Sequence, residues 1–174
     1  MNINRLEKLK SKALSNTELM RIVKHKCNLM TYRDLQKIKT LDEALGQYGC
    51  FILLYELQSG YGHWTCCFRV NKTTVECFDS YGIKPDDEIK FVKEDFRRVN
   101  YLKYPHLTAL LYFSGYKVIF NEFQLQLDLK SVSTCGRWVG LRILLRNIPQ
   151  KQFAKMFLKY KDPDLIVTYL TEKF

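Results

Sequence analysis

Ser131-Val132-Ser133-Thr134-Cys135-Gly136-Arg137-Trp138-Val139-Gly140-Leu141 is a short polar run that ends in a cysteine and passes into apolar residues at helical spacing, continued by Ile143, Leu144 and Leu145. The spacing predicts a helix that opens at Cys135 and ends near Asn147, because Pro149 lacks the N–H that a helix interior needs. At such an opening, unpaired backbone N–H groups and the positive end of the helix dipole favour thiolate over thiol. A thiolate there is a nucleophile if a histidine lies within reach. Without one, Cys135 is a buried structural cysteine.

A histidine is supplied upstream. Cys50 to Leu57 is nearly continuous apolar, as expected of a strand buried on both faces. Ser59-Gly60-Tyr61-Gly62 reads as a turn, and strands His63–Val70 and Thr74–Phe78 follow, joined as a hairpin at Asn71-Lys72. This pairing returns Asp79, at the end of the second strand, to the sheet edge where His63 opens the first. A carboxylate there can hold one imidazole nitrogen and leave the other facing a thiol. Asn121 to Leu127 alternates polar and apolar residues. An amide side chain from Asn121 to Gln126 can donate to a developing oxyanion, together with the N–H of Cys135.

The remaining segments build the frame. Ser15-Asn16-Thr17-Glu18 is a capping box that predicts a helix over 16–26, with Leu19, Ile22 and Val23 on its apolar face. Thr40 to Glu43 repeats the pattern before Ala44 and Leu45, and Gly46 ends that helix. Asp86 to Arg98 reads as an exposed helix, His106 to Phe113 as a helix, and Lys117 to Phe120 as a strand. Helices over 150–160 and 164–172 close the chain. A few strands flanked by helices make the fold class α+β.

The 174 residues, 47% of them hydrophobic, suit one compact domain over 1–174, with no linker, low-complexity tract or repeat to divide it. Met1 to Lys12 is polar and lysine-rich, without an apolar run of signal-peptide length. No stretch approaches the roughly eighteen apolar residues of a membrane span. Six cysteines (27, 50, 66, 67, 77 and 135) form no CxxC pair, and Cys66 and Cys67 must point to opposite strand faces. That pattern favours reduced thiols in an intracellular setting over a zinc site. The formal charge is +10, with basic clusters at Arg21/Lys24/Lys26, Arg97/Arg98 and Lys151/Lys155/Lys159/Lys161. Such a surface either keeps the chain soluble or contacts a polyanion; lacking a DNA-reading motif, it would touch nucleic acid through backbone charge.

The order His63-Trp64, Asp79 after the hairpin, a glutamine, then Cys135-Gly136 opening a helix resembles the adenovirus protease (adenain) and ubiquitin-like protease superfamily of cysteine peptidases. The resemblance spans about residues 48 to 147, and the helix after Ser15 is similar to that protease's N-terminal helix. The Ser-Thr-Cys-Gly-Arg-Trp form is most similar to proteases of adenovirus-like elements, large DNA viruses and virophages. The resemblance implies a papain-like core on a mostly antiparallel sheet. It further implies Cys135 as nucleophile, His63 as general base, Asp79 as the group orienting it, a glutamine as oxyanion donor, and Trp64 beside the substrate groove. In the family the glutamine stands closer to the cysteine. Here that spacing falls on Asp128, whose carboxylate would repel an oxyanion, so Gln126 on a lengthened loop is assigned, with Gln124 as the alternative. No cysteine between Cys77 and Cys135 is present to tether an activating peptide by a disulfide.

In function, the resemblance implies a monomeric viral thiol endopeptidase that needs no metal or organic cofactor. It would cleave capsid or core proteins next to small or glycine residues, in the virion or the cytoplasm of the infected cell, and would not be secreted. Its partner would be a polypeptide substrate; the charge of +10, not the resemblance, adds non-specific DNA as a second expected partner, and the lack of an apolar span leads to the expectation of no membrane. Other readings are a deubiquitinase or ubiquitin-like-protein isopeptidase, an acetyltransferase of the same clan, and a non-enzymatic basic nucleic-acid-binding protein.

Overall fold

β-Branched and aromatic runs in this chain become the strands of one sheet: β1 (Asn28–Thr31), β2 (Cys50–Gln58), β3 (Tyr61–Asn71), β4 (Thr74–Phe78) and β5 (Lys117–Phe120), adjacent in that order. The computed structural model describes residues 2–58, 60–100, 102 and 104–174, so Met1 and the Ser59 position of the expected turn lie outside the described residues. Around the sheet stand α1 (Ile3–Lys10), α2 (Asn16–Ile22), α3 (Tyr32–Leu35), α4 (Leu41–Leu45), α5 (Glu94–Val99), α6 (His106–Phe113), α7 (Cys135–Leu144), α8 (Gln150–Leu158) and α9 (Pro163–Thr171). The class is α+β. Among the described residues no helix is long and apolar enough to cross a membrane.

The sheet is mixed, which corrects the expectation of a mostly antiparallel one. The hairpin pairings β2–β3 and β3–β4 are antiparallel, but β1 joins β2 and β5 joins β4 in parallel. Both parallel joins follow from connections long enough to return the chain over the sheet, through α3 and α4 in one case and α5 and α6 in the other.

The unbroken apolar run of β2 has a plain cause: both faces of the strand are covered. Ile52 and Leu54 face one core with Trp64, Cys66, Phe68 and Phe78, against α2, α7, α8 and α9. Phe51, Leu53 and Tyr55 face the other with Cys67, Val75 and Cys77, against α3, α4 and α6. Cys66 and Cys67 thus do point to opposite faces. The register sets Cys67 directly across from Cys77, and the two are joined as a disulfide, which corrects the expectation that all the thiols are reduced. Cys27, Cys50, Cys66 and Cys135 are free.

Two helix expectations change. The helix expected over 16–26 stops at Ile22, because Lys24 and His25 both adopt left-handed backbone at φ 55°. The exposed helix expected from Asp86 to Arg98 is a 3-10 turn at Asp87–Phe91 followed by α5, broken at Val92, which is extended and buried. The alternating segment after Phe120 forms no strand. Helix α1, strand β1 and α3 are additions to the expected elements, although Ile3, Leu6 and Leu9 give α1 a helical spacing.

α7, which begins at Cys135, is fixed to the sheet by a buried ion pair. Arg142 Nε and Nη2 donate to the two carboxylate oxygens of Glu76 on β4, each at 2.7 Å. The guanidinium also donates to the carbonyls of Leu145 and Ile148 and lies over the rings of Phe68 and Phe153. Each of its nitrogens is thereby given a partner, as a charge without water requires.

Candidate active site

His63 is set by the close approach of β2 and β3. The register shifts between Glu56 and Gln58, and a Cβ on Gly62 would lie 1.9 Å from the Tyr55 carbonyl oxygen. Only glycine fits there, and the next residue turns its imidazole toward the end of β4. His63 Nε2 meets Asp79 Oδ2 at 2.9 Å, and both side chains are buried. The other Asp79 oxygen accepts the Tyr81 N–H at 2.6 Å, which fixes the carboxylate plane.

Cys135 meets the same imidazole. Because Nε2 is taken by Asp79, Nδ1 is the ring nitrogen left for the thiol. Burial by itself lowers the His63 pKa, but the Asp79 carboxylate, its hydrogen bond and the neighbouring Cys135 sulfur outweigh it and hold the imidazole well above its usual value. Cys135 opens α7 as expected. Thr134 at the cap position makes no side-chain hydrogen bond to the helix, so the first-turn N–H groups stay uncapped by it. Gly136 lets two other side chains close over this turn: a Cβ there would sit 3.3 Å from Leu14 Cβ and from Trp64 Cδ1.

The expected glutamine is held at both ends of its amide. Ser80 Oγ donates to Gln126 Oε1 at 2.8 Å, and Gln126 Nε2 donates to the Tyr81 hydroxyl at 2.9 Å. Its backbone N–H donates to the Ser80 carbonyl, tying the 121–127 segment to the Asp79 turn. Gln124 is exposed and its amide donates to the Gln126 carbonyl at 3.2 Å. His63, Cys135, Gln124, Gln126 and Asp128 all border one cleft of about 490 Å³. Trp64 does not border it. It is 4% exposed and lines the adjoining hollow, which shares Ala13, Tyr61 and Gly62 with the cleft.

Three residues in or under the site were not singled out from sequence. Tyr81 stacks on the His63 ring, centroids 5.0 Å apart. Glu88 is buried, its Oε1 has no hydrogen-bond partner, and one of its carboxylate oxygens, one of Asp79 and a ring nitrogen of His63 lie within 4.8 Å of one another. Asp164, fully buried at the start of α9, accepts from Thr134 Oγ1, from Trp138 Nε1 at 2.8 Å and from the Leu127 N–H at 2.8 Å. One carboxylate thus pins both the turn before Cys135 and the segment carrying Gln126. Burial pushes its pKa up, against the pull of those donors. In sequence Asp164 resembles an ordinary first-turn acid after Pro163, and nothing local ties it to Cys135.

No family model matches the chain. It is 37% identical over 164 residues to the uncharacterized protein V9 of Sputnik virophage, an alignment covering 91% of this chain and 94% of that protein.

Proposed function

Since the chain belongs to the family of the Sputnik virophage protein V9, we propose that it is a viral cysteine endopeptidase on a papain-like core. The carrying observation is the ordered contact Asp79–His63–Cys135, with the sulfur at a helix N-terminus and Gln126 on the same cleft. An imidazole held above its usual pKa beside a thiol favours the thiolate–imidazolium pair, the attacking form of such a site. The Cys135 sulfur adds to the peptide carbonyl carbon, and the oxyanion takes hydrogen bonds from the Cys135 N–H and the Gln126 amide. The C–N bond breaks as His63 gives its proton to the leaving amine. His63 then takes a proton from water, whose oxygen displaces sulfur from the thioester and releases the acid. Asp79 holds the ring in one orientation throughout.

The virophage relationship supports substrates among capsid or core proteins, and the adenain-like residue order supports cleavage beside glycine or other small residues. The test is incubation of wild type and Cys135→Ala with the structural proteins encoded beside it, with new termini read by mass spectrometry. Wild type is expected to generate discrete cuts and Cys135→Ala none. Equal cutting by both, or reaction of Cys135 only with a ubiquitin vinyl sulfone or acetyl-CoA, would replace this reading.

A further inference from the structure

Glu88 has no part in the proteolytic chemistry, yet it is buried at 6% exposure against the His63–Asp79 pair. A carboxylate oxygen out of water without a hydrogen-bond partner is costly, and Glu88 Oε1 is one. Glu88 also borders the cleft that holds His63 and Cys135, so an ion from solvent has a path to it. Ligand atoms around a tetrahedral ion at about 2.1 Å stand about 3.4 Å apart. The three donor atoms here lie within 4.8 Å of one another. A pair at that limit must close by about 1.4 Å, within reach of a glutamate rotamer. One imidazole nitrogen with two carboxylate oxygens suits a transition metal better than Mg²⁺ or Ca²⁺, which prefer oxygen alone.

We propose that His63, Asp79 and Glu88 form a binding site for a divalent transition metal of the Zn²⁺ class, and that filling it switches the cleft off. On binding, the ion takes the Nε2 lone pair of His63, the proton that Nε2 shared with Asp79 leaves to solvent, and the Asp79 carboxylate moves from ring to metal. Nδ1 keeps its hydrogen toward Cys135 and can release it only by becoming an imidazolate, so the leaving amine loses its acid. This second half rests on the proteolytic reading; the binding site does not.

The test begins with calorimetric titration of ZnCl₂ into Cys135→Ala at neutral pH, where no active-site thiol competes. One ion per chain is expected, and adding Glu88→Gln should weaken binding at least about tenfold. No binding by Cys135→Ala, or unchanged affinity with Glu88→Gln, would overturn the site. Should circular dichroism show Glu88→Gln unfolded, Asp79→Asn in the same background carries the same expectation. For the switch, Zn²⁺ should slow wild-type cleavage and EDTA restore it; full turnover at a saturating Zn²⁺ concentration overturns it. A wild type inactive even in EDTA overturns the proteolytic reading and the switch together, while the titration still decides the site.

Discussion

Gln126 is the residue at which neighbouring side chains do the most to define a role. Ser80 orients its amide so that Nε2, not Oε1, meets the Tyr81 hydroxyl, and the residue borders the cleft. A donor held this way costs no reorganisation when charge develops. Gln126→Ala is therefore expected to lower kcat by roughly 10²–10³ with little change in KM, the loss usual for one oxyanion donor. Gln124→Ala should leave kcat within a few-fold, since Gln124 is exposed, whereas Gln126 is buried and its Oε1 is held by Ser80. Steady-state kinetics on a peptide substrate decides between them, and the larger loss at Gln124 would transfer the role.

Among the elements, α7 matters most, because it carries Cys135 at one end and is pinned at both. Asp164 holds its first turn and Glu76 holds Arg142. Burial raises the Glu76 pKa, and Arg142 counters it. Removing one partner leaves the other as an unpaired buried charge, so Arg142→Met should cost about 3–5 kcal/mol in urea unfolding, and Arg142→Met with Glu76→Met should recover much of it. An undiminished loss in the double variant would show that the pair acts through packing instead. α2 offers a milder case. The Ser15 hydroxyl accepts from the Glu18 N–H and the Glu18 carboxylate returns to the Ser15 N–H. The Lys12 ammonium first, and then Ser15, hold the Glu18 pKa down at about 2 instead of 4.5. Because the folded value is depressed, this contribution is present above pH 4.5 and is lost as pH falls through about 2. Ser15→Ala should cost about 1 kcal/mol at neutral pH, and its difference from wild type should narrow in acid melts over that window.

For the whole molecule the open property is the charge of +10. Lys151 and Lys155 stand exposed on α8, whose inner face buries Phe153, Ala154 and Phe157, and neither lines the cleft. If this face meets duplex DNA, binding to random sequence should fall with salt by about 0.9 log units per log unit for each phosphate contacted. Lys151→Glu with Lys155→Glu should then flatten that slope and leave peptide turnover unchanged. Absence of a gel shift by wild type at low salt would leave the charge as a solubility feature.

Local and near-neighbour signals were enough for much of this chain. The capping residues Ser15 and Thr40 start their helices, the β2–β3–β4 meander follows from apolar runs and a short hairpin, and α7 opens at Cys135. His63 and Asp79 were legible as a pair because one hairpin register brings them together. Tertiary structure alone decided the parallel edges of the sheet, the Cys67–Cys77 pairing, and the choice of Gln126 over Gln124 as the anchored amide. It also placed Glu88 and Asp164 against the site. The physical reason is shared by these cases. Each rests on a contact between segments remote in the chain, where burial gives a polar group its meaning, and neither burial nor the partner is encoded in the residues next to it.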